Sequence, residues 1–141
     1  MDVFTSTKLV ATFSISPALF GTPPSCNSAS IGFALPTHAC TPPENRQELK
    51  GGYVLVTRGG CTFPDKARII QETGAIGMIL INDGVATFPM QAGMMSPHDV
   101  YITSAMMGSA NAEQLTNLIE VRKRSQNYTQ YHSTSLLFIL F

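Results

Sequence analysis

Residues 53–84, YVLVTRGGCTFPDKARIIQETGAIGMILINDG, constrain the fold most, because nearly every position in this segment has an identifiable structural role. Residues 53–57 are rich in β-branched and aromatic side chains, which predicts a strand, and Gly59 and Gly60 then predict a turn. A second apolar run follows at residues 76–81. Because that run is apolar on both faces, it predicts an interior strand, covered on each side and parallel to the first through a right-handed crossover.

The segment between these two predicted strands carries the signals of a capped helix. Thr62, followed three positions later by Asp65, resembles a capping box, and a proline between them suits the first turn. Gly74 fits the left-handed residue that ends a helix. We expect one apolar face, with the charged side chains pointing away from it. The apolar residues are Phe63, Ala67 and Ile70, and the charged residues are Lys66, Arg68 and Glu72.

Further elements are predicted outside this segment. Residues 8–16 alternate as one edge strand, residues 101–107 predict another strand, and Ser109 can cap a helix. The residues of that helix expected to face the core are Leu115, Leu118 and Ile119. The apolar residues 136–141 fall far short of the ~20 that span a bilayer. A severed transmembrane helix, a terminal strand and a non-native tail are alternative interpretations of them.

Composition restricts the class of protein. With 141 residues, the chain can bury about two-thirds of its unfolded surface, enough for one core without a metal or cofactor. A formal net charge of zero, with 13% charged residues, gives no electrostatic basis for a nucleic-acid partner. The first residues lack the basic region and apolar core of a signal peptide. We expect no membrane insertion by this chain alone.

The sequence contains no G-x-S-x-G elbow, H-E-x-x-H zinc motif, P-loop or G-x-G-x-x-G turn. His38 and Cys40 form an H-x-C pair, but two candidate ligands without two more favour a loop histidine over a metal ligand. His98 and Asp99 lie near Ser96, yet neighbours in sequence rarely give the geometry of a catalytic triad. We therefore expect no catalytic residues, no metal site and no cofactor.

The pattern of the 53–84 segment resembles the signature of the protease-associated (PA) domain. In that family a strand is followed by an R-G-x-C-x-F turn, a K-[AV] helix start, G-A and an apolar strand that ends near Asn. The matching residues are Arg58, Gly59, Cys61, Phe63, Lys66, Ala67, Gly74, Ala75 and Asn82. Similarity at residues 16–21, 39–42 and 88–93 extends the resemblance to about residues 10–120. Among PA domains, the segment is most similar to that of endoplasmic-reticulum-degradation-enhancing α-mannosidase-like proteins.

This resemblance implies a fold and a domain organisation. The expected fold class is α+β: a small β-barrel-like or sandwich-like PA domain at residues 10–121, with a βαβ crossover and flanking helices. Residues 1–9 are then an N-terminal extension or edge strand, and residues 122–141 are a C-terminal tail.

The resemblance also implies a function. PA domains are non-catalytic modules that bind a protein or peptide ligand, and they accompany a catalytic domain on a longer parent chain. The expected location is the lumen of the secretory pathway, in the endoplasmic reticulum, or the extracellular space. One alternative is a fragment of an α-mannosidase-like protein that trims glycans in ER-associated degradation, with its catalytic domain absent from this chain. Another is the luminal domain of a membrane RING ubiquitin ligase or protease.

The three cysteines and one sequon bear on the compartment. In an oxidising compartment, Cys40 and Cys61 are the better-motivated disulfide pair, because they lie just before and just after the first central strand. Cys26 would remain unpaired in a Pro/Ser-rich segment. In a cytosolic chain, all three would stay as thiols. Asn127 begins an N-Y-T glycosylation sequon, which favours the secretory pathway.

Four residues are candidates for ligand binding. Met90, Met94 and Met95 fall in the long loop after the second predicted strand, and flexible thioethers suit an adaptable apolar contact surface. Filling of gaps between that loop and the core is the alternative role for each of them. Arg58 can bind a partner's carboxylate in a bidentate manner or tether the neighbouring loop, and the sequence does not separate the two roles.

Overall fold

The structure is a computed structural model that describes residues 1–4, 9–25, 28–94, 98–128 and 138–140. It contains eight strands and three helices within those residues. The strands are β1 (Asp2–Phe4), β2 (Leu9–Thr12), β3 (Ile15–Pro17), β4 (Ala29–Phe33), β5 (Tyr53–Thr57), β6 (Gly77–Ile81), β7 (Thr103–Met107) and β8 (Phe138–Leu140). The helices are α1 (Arg46–Leu49), α2 (Phe63–Glu72) and α3 (Ser109–Tyr128).

All eight strands belong to one mixed sheet, in the order β2-β1-β8-β4-β5-β6-β7-β3. The four strands β4 to β7 run parallel to one another, and the other strand pairs of the described sheet are antiparallel. The predicted βαβ unit corresponds to β5, α2 and β6, so both predicted strands and the helix between them are present. The α+β class is confirmed.

The sheet curls strongly. Its two edge strands, β2 and β3, lie at opposite ends of the strand order, yet only Phe13 and Ser14 separate them in sequence. Because an extended chain covers at most about 3.6 Å per residue, the two edges must come close together. No strand pairing joins β2 to β3 among the described residues, so the curled sheet is barrel-like without being closed.

This arrangement corrects the prediction of one continuous edge strand over residues 8–16. The chain leaves β2 at Phe13, whose backbone N–H donates to the Met1 carbonyl at 2.7 Å and whose ring is buried beside α3. After this residue, Ile15 enters a different pairing, opposite Met107 on β7. The alternation of apolar residues was real, but it belongs to two strands that pair with opposite ends of the sheet.

The central strands are covered on both faces, as the apolar runs predicted. On β5, Val54 and Val56 belong to the apolar cluster that includes α2, whereas Tyr53 and Leu55 belong to the cluster that includes α3. The same alternation applies to β6. Helix α3 packs through Leu115, Leu118 and Ile119, as expected.

Tyr101, the Asn127 sequon and the C-terminal segment were all subjects of sequence predictions. Tyr101, placed in a strand from sequence, precedes β7 and is 70% exposed. Asn127 lies in the last turn of α3, but Thr129 of its sequon lies outside the described residues. Helix α3 continues past residue 121, and residues 138–140 form β8. Within the described ranges, no helix combines the length and apolar character needed to cross a bilayer.

Candidate functional site

The candidate site lies where the parallel strands β5 and β6 end. The connection from β5 to α2 and the loop that follows β6 meet at this edge. Loops at the carboxyl ends of parallel strands form the usual binding crevice of an open α/β sheet, because the helices that cover the two faces leave that edge accessible.

A disulfide joins two segments at this edge. Cys40 and Cys61, the pair favoured from sequence for an oxidising compartment, are bonded, with their Cα atoms 5.8 Å apart. The bond ties the segment before β5 to the turn after it. Gly60 is required there, because its φ is +84° and a Cβ would lie 2.8 Å from Cys40 Sγ. Cys26 lies outside the described residues.

Lys66 lies beneath the disulfide and is fully buried, which corrects the prediction that this side chain points away from the core. Its Nζ donates to the carbonyl oxygens of His38 and Gly59, the latter at 2.6 Å, and lies 3.5 Å from Cys40 Sγ. We call this group of contacts the Lys66 clamp. Burial lowers the pKa of Lys66.

The helical spacing itself could have identified this position. Lys66 is three residues after Phe63 and four before Ile70, so it lies on the same helical face as those apolar residues. The sequence interpretation excluded it because of its charge alone. A lysine at a core-facing helical position is a signal for a buried cation that bonds to backbone carbonyls.

Arg58 tethers the loop that follows β6, one of its two predicted roles. Its Nη1 donates to Asn82 Oδ1 at 2.9 Å and to Asp83 Oδ1 at 3.1 Å, and its Cζ lies 5.5 Å from the centroid of the Phe88 ring. Asn82 is buried, and its Nδ2 donates to the Ala86 carbonyl. Among the described residues these bonds use only Nη1, and the arginine side chain is 40% exposed. Its Nε and Nη2 edge can therefore still receive a carboxylate.

An open groove of about 330 Å³ lies between these two loops. We call it the disulfide groove. One wall runs from Arg58 to Pro64, and the other is formed by Gln91, Ala92 and Gly93. The Phe63 ring, in the first wall, lies 6.3 Å from that of Phe88. The groove thus combines an apolar lining with a cation at its rim.

The three candidate methionines do not act together. Met90 is fully buried in the core, and its carbonyl accepts a hydrogen bond from Leu19, so it is not part of a contact surface. Met94 is 99% exposed and follows the groove residue Gly93. Met95 lies outside the described residues. The exposed apolar residue that sequence reasoning missed is Phe88, which becomes recognisable only when the loop is seen beside Arg58.

Residues suited to metal or triad chemistry are not brought together in the described part of the chain. No group of three or more His, Cys, Asp or Glu side chains there is arranged to hold a metal ion. His38 Nδ1 lies 2.9 Å from Thr57 Oγ1, and Asp99 binds Arg68 at 2.6 Å. Ser96 lies outside the described residues.

Curated proteins of several kinds contain a similar segment. Human ER degradation-enhancing alpha-mannosidase-like protein 3 is 40% identical over 70 residues, which cover 48% of this chain and 8% of that protein. Signal peptide peptidase-like 2 of Arabidopsis thaliana is 36% identical over 64 residues, covering 45% and 12%. Receptor homology region, transmembrane domain- and RING domain-containing protein 5 of Arabidopsis thaliana is 37% identical over 65 residues, covering 41% and 20%. The chain thus spans at most a fifth of the length of these relatives.

Solved structures share the fold at low sequence identity. A zinc aminopeptidase from Bacillus subtilis superposes with a TM-score of 0.63 and 17% identity, over 82% of this chain and 27% of that one. An aminopeptidase from Aneurinibacillus sp. strain AM-1 gives a TM-score of 0.65 and 14% identity, over 99% and 29%. Because the identities are low, these likenesses show the fold alone.

A family model gives the assignment. The PA domain model matches residues 23–115, which is well over half of the chain and includes β4 to β7, the disulfide and the groove. This match agrees with the R-G-x-C-x-F turn and with the curled, mixed sheet. The chain therefore belongs to the PA domain family.

Proposed function

We propose that this chain is a non-catalytic protein-interaction module of a secretory-pathway protein, and that the disulfide groove holds a peptide segment of its partner. The observation that carries the proposal is the combination at one accessible edge of an apolar groove, an exposed aromatic ring and an arginine. These features suit contact with an apolar side chain of a partner, with a polar group to fix its orientation.

The chemistry of the groove defines the class of segment that it takes. Phe63 and Phe88 offer ring surfaces to an apolar or aromatic side chain. The Nε and Nη2 edge of Arg58 suits a carboxylate, either of an acidic side chain or of a chain terminus. None of the described residues that line the groove is acidic. The favoured ligand is therefore an apolar residue next to a carboxylate.

The proposed location is the lumen of the secretory pathway or the extracellular space. The Cys40–Cys61 bond supports it, because disulfides form and persist in oxidising compartments. Use of Asn127 for glycosylation would follow from the same location. The presence of similar segments in an ER degradation-enhancing protein and in signal-peptide-peptidase-like proteins agrees with it.

The parent protein is a separate part of the proposal. We place the PA domain at residues 10–121, with an N-terminal element at 1–9 and a C-terminal segment at 122–141. The similarity to the α-mannosidase-like protein favours a parent that trims glycans in ER-associated degradation, with catalysis on another domain. A membrane RING ligase or an intramembrane protease is the alternative. Sequencing of the full transcript separates these parents.

Selection of peptides tests the binding function. A phage-displayed peptide library is panned against the full chain under oxidising conditions, and the affinity of an enriched peptide is then measured by fluorescence anisotropy. We expect enrichment of apolar residues beside a carboxylate. Phe88→Ala and Arg58→Met should each weaken binding at least about tenfold, or about 1.4 kcal/mol.

Tyr101→Ala is the matched control, because this ring is also exposed but belongs to the segment before β7, whereas the Phe88 ring lies beside the groove residues Arg58 and Phe63. Its affinity for the peptide should equal that of the wild-type chain. Failure to enrich any sequence would overturn the proposal. So would an enriched peptide whose affinity falls with Tyr101→Ala and not with Phe88→Ala.

A further inference from the structure

The Lys66 clamp places a buried cation against one sulfur of the disulfide. Lys66 Nζ lies 3.5 Å from Cys40 Sγ, and no carboxylate among the described residues bonds to it. A disulfide sulfur carries no charge with which to balance the ammonium. A thiolate at the same position would carry one, so the environment of Lys66 suits the reduced state of Cys40 better than the oxidised state.

The other charged groups near the disulfide do not compete for this role. Arg58, on the turn next to Cys61, is paired with Asp83, and Asp65, on the first turn of α2, is paired with Arg68. His38, on the Cys40 segment, directs its ring to Thr57. Of the described charged side chains around Cys40, Lys66 alone bonds to the sulfur.

We propose that Cys40–Cys61 is an exchangeable disulfide that reacts with a luminal thiol, such as glutathione or a protein dithiol. In this scheme Cys61 receives the incoming thiol, and Cys40 leaves as a thiolate paired with Lys66. The site is thus a modification site for thiols, which is a property separate from peptide binding.

The two sulfurs differ in ways that set the direction of attack. Both cysteines are half-buried, but Cys61 lines the open groove, through which a thiol can reach this residue. Cys40 does not line the groove, and its Sγ contacts Lys66. Thiol–disulfide exchange is faster when the leaving thiol has the lower pKa, and a neighbouring cation lowers the pKa of a thiol. Attack at Cys61 with departure of Cys40 satisfies both conditions.

The exchange balances in two steps. A thiolate of the reductant attacks Cys61 Sγ and forms a mixed disulfide, while the bond to Cys40 breaks and its electron pair stays on Cys40 Sγ. A second thiolate of the reductant then attacks the sulfur that the first reductant thiol contributed to the mixed disulfide. Cys61 leaves and takes a proton from solvent, and the reductant is oxidised to a disulfide. The protein ends with a Cys40 thiolate and a Cys61 thiol.

The acidity of each single thiol gives the first test, in a Cys26→Ser background that removes the third cysteine. Cys61→Ser leaves Cys40 free, and Cys40→Ser leaves Cys61 free as the matched control. The rate of alkylation by iodoacetamide is followed against pH, and circular dichroism checks the fold of each variant. We expect the Cys40 thiolate to form well below the ordinary Cys pKa of about 8.5, and the Cys61 thiolate to form near it. Equal titration of the two thiols would overturn the proposal.

Equilibration of the Cys26→Ser chain with glutathione gives a second test that leaves Lys66 and the disulfide in place. After acid quenching, mass spectrometry should find glutathione on Cys61 and not on Cys40. Lys66→Met should shift the equilibrium constant at least tenfold towards the disulfide. If that variant does not fold, the position of glutathione decides alone. Glutathione found on Cys40, or a folded chain that never reacts, contradicts the inference.

Discussion

At the scale of single residues, Lys66 shows how a charged side chain can occupy a core position. The ammonium is fully buried, but two backbone carbonyls, of His38 and Gly59, accept its hydrogen bonds. These carbonyls belong to irregular segments with no ladder partner of their own at that point. The lysine therefore supplies the hydrogen-bond donors that these two loop carbonyls need, and an apolar side chain could not supply them.

Replacement of this lysine by an apolar side chain of similar length should destabilise the domain. In Lys66→Met the shape is nearly preserved, but two carbonyls lose their donor, and a buried unsatisfied group costs about 1–3 kcal/mol. We expect the free energy of unfolding in urea to fall by about 2 kcal/mol. Lys123→Met, at an exposed position, is the control and should change it by less than about 0.5 kcal/mol. Equal stability of the two variants would show that the clamp contributes nothing.

The lowered pKa of Lys66 predicts a dependence of stability on pH. Between that lowered value and the ordinary pKa near 10.5, the unfolded chain binds more protons at this residue than the folded chain. The contribution of Lys66 to the free energy of unfolding therefore rises with pH in this window and is smallest below it. Urea unfolding at several pH values below the ordinary Lys pKa should show this slope in the wild-type chain but not in Lys66→Met.

Burial also raises the pKa of Tyr53, which makes stability fall at still higher pH. That effect is common to both chains, so the difference between the wild type and Lys66→Met isolates the lysine. A difference that stays constant across the pH range would contradict the prediction.

At the scale of elements, local sequence signals predicted the βαβ unit correctly. The prediction of one strand over residues 8–16 was wrong because the pairing of that segment is non-local. The cap at Thr62 is present, with its Oγ1 accepting from the Asp65 N–H at 3.3 Å, and Gly74 has a φ of +83° as expected for a helix end. Both features depend on a few adjacent residues. The break at Phe13 depends instead on β7, about 90 positions away, and no local pattern reports such a partner.

Two glycines of the parallel strands should differ in their tolerance of alanine, because only one of them, on β6, is closely packed against β5. A Cβ on Gly77 would lie 2.4 Å from Tyr53 Cε1, so Gly77→Ala should cost about 1–3 kcal/mol of unfolding free energy through overpacking. Gly32, on β4, is the matched control, because a Cβ there meets only Leu49 Cδ2 at an ordinary 3.6 Å. Gly32→Ala should be neutral or slightly stabilising. Thermal denaturation of both variants measures the difference, and equal losses would refute the packing argument.

Helix α2 also holds the segment before β7, and this contact should be sensitive to acid. Arg68 Nε donates to Asp99 Oδ2 at 2.6 Å, and the hydrogen bond lowers the pKa of Asp99. Gln71 bonds the backbone at Asp99 and Tyr101. The interaction is present above the ordinary Asp pKa of about 3.9 and is lost as pH falls through the lowered value.

NMR titration of the Asp99 carboxyl carbon measures this contact directly. We expect its midpoint below the ordinary Asp range in the wild-type chain and within that range in Arg68→Met. Glu72→Gln, on the exposed side of the same helix, should leave the midpoint unchanged. A midpoint that is insensitive to Arg68 would show that the ion pair does not form in solution.

At the scale of the whole molecule, only one of the two walls of the candidate site could be predicted from the sequence. Arg58 and Cys61 follow β5 directly, and their roles could be proposed from the turn alone. Phe88 and Gln91 come from the loop after β6, and their position beside that turn results from the parallel pairing of the two strands and from the bonds of Arg58 to Asn82 and Asp83. A groove between two loops is a property of the assembled sheet, so its second wall could not be derived from either segment.

Phe13 connects the two ends of that sheet, so we expect it to contribute more to stability than a residue within one edge strand does. It lies between β2 and β3 and is 3% exposed, in the same apolar cluster as Met107 on β7 and Leu115 on α3. Phe13→Ala should lower the free energy of unfolding by about 4 kcal/mol, as expected for a truncated core aromatic. Phe88→Ala, at an exposed loop position, should cost less than about 1 kcal/mol.

Hydrogen exchange then distinguishes a local effect of Phe13 from a global one. If this ring holds the curled sheet together, amides of β7 as well as those of β1 should exchange faster in Phe13→Ala, although the two strands lie near opposite ends of the strand order. Those of β5 and β6 should change least, because neither of these strands lies next to an edge strand of the sheet. Faster exchange confined to β1 and β2 would mean that the two edges are held independently, and that the curl does not depend on this contact.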